Sequence, residues 1–261
     1  MQDFLSIVSG ALVGFVLGLV GGGGSIIAVP LLLYVVGIGS PHLAIGTSAI
    51  AVSLSALSNL VTYARKGLVK WPCALTFSLA GVVGAWGGSS LAIHVSGDRL
   101  LAVFGVVMVI VGIVMALRRD AGGNPEIHLN FSTARELLPL LLVIGLTVGA
   151  LSGFFGIGGG FLIVPGLMIA TSMPISFAIG TSLVSVAIFG ATTSANYALA
   201  GLVDWRIAVY FFGGGIIGGL GGSLAGQKLG QNKKVLTIVF ASFVILIGTY
   251  IAGKGISDLL L

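Results

Sequence analysis

The chain has 261 residues, of which 57% are hydrophobic and only 7% are charged. A soluble domain carries about 25% charged residues, so this composition excludes a soluble globular protein and predicts an all-α, polytopic membrane protein. The net charge of +5 comes from loop lysines and arginines and indicates orientation in the lipid bilayer, so no nucleic-acid partner is expected. The single cysteine, Cys73, excludes an intramolecular disulfide and a CxxC metal or redox site, and no cofactor or metal is predicted.

Ten apolar segments follow one another along the chain. They lie at 4–20, 26–38, 43–64, 71–94, 100–117, 137–155, 161–170, 175–199, 207–226 and 235–253. A helix needs about 20 residues to cross the hydrocarbon core at 1.5 Å per residue, and the second and seventh segments are too short to cross it. Each of these two short segments lies directly behind a run of glycines.

The two glycine runs interrupt sequence that is otherwise apolar enough to lie in lipid. The first is GGGGSIIAVP at 21–30, and the second is GIGGGFLIVP at 156–165. Unpaired backbone groups cost several kcal/mol each in hydrocarbon, so such breaks survive only inside protein or against water. We expect helices to restart at Ser25 and Gly160, where free N–H groups and the positive end of the helix dipole would receive a small anion. The alternative is that the glycines only permit a tight hairpin turn.

The chain also contains an internal repeat. AIGTS at 44–48 recurs at 178–182, and GLVKW at 67–71 recurs as GLVDW at 201–205, both at an offset of 134 residues. We predict a first transmembrane repeat at 1–117, a polar linker at 118–136 and a second transmembrane repeat at 137–261. Each repeat is expected to hold a glycine-broken helix hairpin and three transmembrane helices.

Basic loop residues favour inverted over parallel repeats. Re-entrant hairpins would put nine of the 12 lysine and arginine residues on one side and three on the other, whereas parallel repeats would divide them eight to four. The loop before Trp71 is more basic than its counterpart before Trp205, and the next loop along shows the opposite bias. Because lysine and arginine favour the cytoplasmic side, we predict a multi-pass protein of the cell inner membrane with both termini periplasmic.

Neutral side chains are the candidates for holding a bound anion, because no charged residue lies well inside an apolar segment. The predicted substrate-binding residues are Gly21, Gly22, Gly23, Gly24, Ser25, Thr47, Ser48, Asn59, Gly156, Gly158, Gly159, Gly160, Thr181, Ser182, Thr193 and Asn196. The alternative for the hydroxyls is that they bond back to their own helix or across to a neighbouring one. No catalytic residue is predicted, since no histidine or lysine inside a segment could activate Ser25 as a nucleophile.

The paired motifs resemble the TauE/SafE family of sulfite and organosulfonate exporters. The likeness covers essentially the whole chain, from GGGGSIIAVPLLLYVVG and AIGTS to GIGGGFLIVPGLMI and AIGTSLVSV. It implies a secondary transporter that exports a small sulfur-containing oxyanion, with a site at 21–25, Thr47 and Ser48 and at 156–160, Thr181 and Ser182. The first copy departs slightly, since Ser25 stands where the second copy has glycine. An importer or a channel for the same anions, coupling to a proton or sodium ion, and a homo-oligomer stay open.

Overall fold

The computed structural model describes residues 1–117, 134–156, 160–228 and 233–260. Every regular element in these ranges is helical. The α-helices are α1 (Gln2–Val20), α2 (Ala28–Pro30), α3 (Pro41–Arg65), α4 (Trp71–Ile93), α5 (Gly97–Leu117), α6 (Ala134–Phe155), α7 (Gly160–Thr171), α8 (Ile175–Leu199), α9 (Trp205–Lys228) and α10 (Lys233–Leu260). Seven of them (α1, α3, α4, α5, α6, α8 and α9) contain described stretches long and apolar enough to cross a membrane. The predicted class, an all-α polytopic membrane protein, is confirmed.

The first glycine run ends α1 and turns the chain back along it, because an added Cβ at Gly24 would meet the backbone of Val16 and Leu17. The residues after α1 form a 3₁₀ helix, Gly21–Ile27, followed by α2 and a π-helical stretch, Leu31–Val35. Glycines have no side chains to eclipse at i and i+3, so they allow the tighter 3₁₀ winding. The predicted helix break is therefore present, but the restart predicted at Ser25 is not, because Ser25 lies inside the 3₁₀ helix.

The second glycine run differs from the first. α6 ends at Phe155, and Gly156 follows in a turn with a φ of +64°, a conformation that only glycine adopts readily. An added Cβ at Gly156 would also collide with the side chain of Ile45. α7 then begins at Gly160, which confirms the restart predicted there. Gly158 and Gly159 lie outside the described residues.

Two long helix pairs are counterparts of each other. α1 packs along α9, and α4 packs along α6; in the sequence repeat α1 corresponds to α6 and α9 corresponds to α4. Glycines let the backbones touch, since an added Cβ at Gly14 would meet Gly215 and one at Gly149 would meet Gly81. In lipid, such close packing and not hydrophobicity drives helix association. The two halves are thus held together by equivalent contacts.

The central helices α3 and α8 are also counterparts, and they run antiparallel. Gly46 lies against Tyr197, and the Ser53 hydroxyl donates a 2.6 Å hydrogen bond to the Ala187 carbonyl. Residue numbers therefore increase along α3 where they decrease along α8. The outer pair α5 and α10 is antiparallel in the same way. Opposite directions for counterpart helices are what an inverted repeat requires. The repeat boundaries themselves stay a prediction.

Candidate functional site

The two glycine-led segments meet in the protein core. The 3₁₀ helix Gly21–Ile27, which contains the predicted Gly21, Gly22 and Gly23, contacts α1, α7 and α8. Ser25 and Ile26 are fully buried, and Gly160 at the start of α7 is buried as well. The segments that the sequence marked as a pair are therefore brought together and covered by protein.

Gly24 fixes the hairpin that α1 forms with the 3₁₀ helix. A Cβ at this position would collide with the backbone of Val16 and Leu17 on α1. Only a glycine lets the returning chain approach α1 this closely. The structure thus gives Gly24 a packing role, and its predicted contact with substrate stays a prediction.

The threonines of the two AIGTS motifs hold the turns of the opposite half. The Thr47 hydroxyl accepts a 2.9 Å hydrogen bond from the backbone N–H of Asp204, and the Thr181 hydroxyl accepts one of 3.0 Å from the N–H of Lys70. Asp204 and Lys70 are counterparts in the GLVDW and GLVKW turns. Both threonine side chains are fully buried. We refer to this pair of interactions as the AIGTS–GLVxW contacts.

The glycines of the same motifs make room for these turns. An added Cβ at Gly46 would collide with the Leu202 carbonyl, and one at Gly180 with the Leu68 carbonyl. The sequence showed both motifs repeating at one offset but did not show that they bind each other. Two repeated motifs at equal spacing are the signal that could have suggested the pairing.

The serines of the AIGTS motifs bond within their own helices. The Ser182 hydroxyl donates to the Ile179 carbonyl at 2.7 Å, and the Ser48 hydroxyl donates to the Ile45 carbonyl at 2.9 Å. Ser48 lies 3.4 Å from the Gly156 carbonyl as well, so it links α3 to the second break. Ser48 is the predicted residue that the structure joins directly to a glycine run.

The two asparagines lie in helix contacts. Asn59 donates to the Ser55 carbonyl of its own helix at 3.1 Å. Asn196 reaches α4, where its amide donates to the Ser89 and Ser90 hydroxyls at 2.8 Å each. Both arrangements match the alternative in which polar groups serve helix packing, and a role in substrate binding stays a prediction for each.

Three buried hydroxyls in the second half, those of Ser152, Thr193 and Tyr197, make no hydrogen bond with any described residue. Thr193 was predicted to bind substrate, whereas Ser152 and Tyr197 were missed. Tyr63, the counterpart of Tyr197, donates its hydroxyl proton to the Gly18 carbonyl at 3.0 Å. A difference between such matched hydroxyls is visible only in three dimensions.

Charged residues of opposite sign lie next to the two AIGTS motifs. Lys70 is buried, and its ammonium lies 4.6 Å from the centre of the Phe177 ring on α8. At the counterpart position, the Asp204 carboxylate accepts a 3.0 Å hydrogen bond from the Ile207 N–H and caps the start of α9. The surroundings of the two motifs therefore differ in charge.

Interrupted helical segments that meet in the core of a polytopic bundle are a feature of membrane transporters. More particularly, the chain belongs to the TauE/SafE family: the family described as "Sulfite exporter TauE/SafE" matches residues 6–251. The predicted family is confirmed.

Relatives from bacteria carry matching names. A "Probable membrane transporter protein" of Xylella fastidiosa (strain 9a5c) is 48% identical over 98% of this chain and 97% of its own length. YunE of Bacillus subtilis (strain 168), also named a probable membrane transporter protein, is 26% identical over 98% of this chain and 99% of its own. No solved structure matches the chain. Family and relatives together indicate a membrane transporter rather than an enzyme.

Proposed function

We propose that this protein is a secondary transporter that exports a small oxyanion, such as sulfite or an organosulfonate, across the cell inner membrane by alternating access. The observation that carries the proposal is the contact of the 3₁₀ helix Gly21–Ile27 with α7 in the core. Interrupted helices that meet in this way form the substrate sites of many transporters. The family's description as a sulfite exporter supports the choice of anion.

Recognition of the anion would rely on neutral donors. α7 starts at Gly160, and because the first N–H groups of a helix have no partner within it and lie at the positive end of its dipole, this start would favour an anion. Ser48 adds a hydroxyl beside Gly156. Neutral donors suit a carrier, because the anion must also leave the site again.

Alternating access would come from movement of one half against the other. The antiparallel packing of α3 against α8 supports inverted repeats, which allow equivalent inward-facing and outward-facing states. The AIGTS–GLVxW contacts tie the halves together at both ends of this helix pair. A proton or a sodium ion is the proposed coupling partner.

The charges beside the AIGTS motifs support export. On the side proposed to be cytoplasmic, Lys70 would attract an anion toward the pathway. On the opposite side, Asp204 would repel an anion that has left. An importer or a channel for the same anions is the alternative, and the direction of flux separates them.

Flux through purified protein in proteoliposomes tests the function. Vesicles are loaded with sulfite, and efflux is followed with and without an imposed proton or sodium gradient. We expect saturable sulfite flux that responds to one of the gradients. Rapid passive flux without saturation would indicate a channel, and the absence of flux for sulfite, sulfate, taurine and sulfoacetate would contradict the proposal.

Cysteine labelling at two counterpart positions tests the inverted topology. Lys66 follows α3 and Ala200 follows α8, and both are exposed. In a Cys73→Ala background, Lys66→Cys should react with an impermeant maleimide only from the cytoplasmic side. Ala200→Cys should react only from the outside. Reaction of both from one side would exclude inversion.

A further inference from the structure

We propose that the anion is bound on the side of the second break, by buried hydroxyls that α6 and α8 contribute. These hydroxyls belong to Ser152, Thr193 and Tyr197, which we term the hydroxyl cluster. The inference rests on the proposed function and deepens it, because it adds Ser152 and Tyr197 to the site. It also makes the site asymmetric, with the first repeat supplying mainly scaffold.

Each hydroxyl of the cluster is fully buried and has no hydrogen-bond partner among the described residues. A buried polar group without a partner is costly, and such groups in folded proteins usually meet a ligand or an ordered water. A fourth buried hydroxyl of this kind, that of Ser9, lies on α1 and is not part of the cluster. Ser152 on α6 and Thr193 and Tyr197 on α8 belong to helices that contact each other, so one ligand between these helices would satisfy them.

The packing of α6 shows which residues the cluster adjoins. Gly18 on α1 packs on Gly219, and Gly153 on α6 packs on Ala85, the counterpart of Gly219, so Gly18 corresponds to Gly153. Because the Tyr63 hydroxyl reaches Gly18, the correspondence brings that of Tyr197 toward Gly153. Ser152 precedes Gly153 directly, in the last turn before the second break.

α8 presents the other two hydroxyls on one face. Thr193 and Tyr197 are four residues apart, a spacing that puts them on the same side of a helix, and α8 packs against α6. In the first repeat the corresponding groups are already satisfied: Asn59 donates to Ser55, and Tyr63 donates to Gly18. Of these matched positions, only Thr193 and Tyr197 of the second repeat keep their hydroxyl donors available among the described residues.

The backbone supports the same assignment. In the first repeat α1 runs into a 3₁₀ helix, whose tighter bonds occupy successive N–H groups. In the second repeat a new helix starts at Gly160 and is long enough to have a dipole. A small oxyanion with several acceptor oxygens, such as sulfite, would receive hydroxyl protons and helix N–H groups at once.

The two tyrosines give a matched test. Sulfite binding to the purified full-length protein is measured by calorimetry, together with the melting temperature in the absence of anion, for Tyr197→Phe and Tyr63→Phe. Tyr197→Phe should raise the sulfite Kd about tenfold or more, since a hydrogen bond to a charged group is lost, and should leave the melting temperature unchanged or higher. Tyr63→Phe should lower the melting temperature and leave the Kd unchanged.

Equal Kd values for wild type and Tyr197→Phe would overturn the hydroxyl cluster. The proposed function would still be upheld in that case, because the wild type binds sulfite. Equal losses of affinity in both variants would also overturn the asymmetry. Failure of the wild type to bind sulfite would count against the proposed function and, with it, the cluster. Ser152→Ala provides a second variant, for which we expect a smaller rise in Kd and normal folding.

Discussion

The AIGTS–GLVxW contacts and the glycine breaks occur twice each, yet only the contacts are the same in both copies. In each half a threonine hydroxyl accepts a bond from the opposite turn at 2.9 or 3.0 Å, and a glycine admits the turn's carbonyl. The breaks differ, since the first forms a 3₁₀ helix that folds back on α1, whereas the second leads to the start of an α-helix at Gly160. The comparison suggests that duplication kept the scaffold symmetric and let the substrate site diverge.

The largest expected effect comes from breaking the shared scaffold. Gly88→Ala would drive a Cβ into the Ala150 carbonyl, and its counterpart Gly222→Ala would do the same at Phe15. We expect each to lower stability by about 1–3 kcal/mol, because backbone atoms cannot move aside cheaply. Melting temperature and the yield of monodisperse protein in detergent measure the effect.

Gly87 offers the control for this prediction, because it lies on the same helix and an added Cβ there meets open space. Gly87→Ala should behave like wild type. If Gly88→Ala were equally well tolerated, the close packing of α4 on α6 would be contradicted.

The next effect separates scaffold from substrate binding at the AIGTS threonines. Thr47→Val and Thr181→Val each remove the acceptor for a backbone N–H of the opposite turn, and should cost about 1–3 kcal/mol of stability, with the larger loss at Thr181, whose partner is the more buried. Thr→Ser at either position should keep the wild-type stability, because serine retains the accepting hydroxyl. Sulfite affinity should stay unchanged in every variant that folds, and a weaker Kd would instead support the predicted substrate contact.

A smaller effect is expected where the two copies differ in charge. Lys70→Gln should raise the half-saturating sulfite concentration on the cytoplasmic side several-fold, because an opposite charge near the pathway is lost. The exposed neighbour Lys66 provides the control, and Lys66→Gln should change little. Uptake into inside-out vesicles measures both. If both variants changed the half-saturating concentration equally, the account of Lys70 would be contradicted, and its charge would serve only to orient the protein in the membrane.

Much of the fold was predictable because it follows from composition and repetition. The lengths of the apolar segments predicted the membrane-spanning helices, and the motifs repeated at an offset of 134 residues identified the corresponding helices of the two halves. The helix start at Gly160 was predicted correctly, whereas the start predicted at Ser25 is not observed. A run of four glycines is compatible with several backbone conformations, and tertiary packing selected the 3₁₀ helix here. The free hydroxyl of Tyr197 was unpredictable, since Tyr63 and Tyr197 are the same residue in similar sequence and differ only in what lies within reach.

The location of a bound anion tests the asymmetric site most directly. In a crystal structure with selenite, a heavier analogue of sulfite, the anomalous signal of selenium would mark the site. We predict a peak whose oxygens lie about 3 Å from the Tyr197 and Ser152 hydroxyls. A peak midway between the two glycine runs would uphold the proposed function and contradict the hydroxyl cluster. A peak beside Tyr63 and the 3₁₀ helix would contradict the asymmetric site.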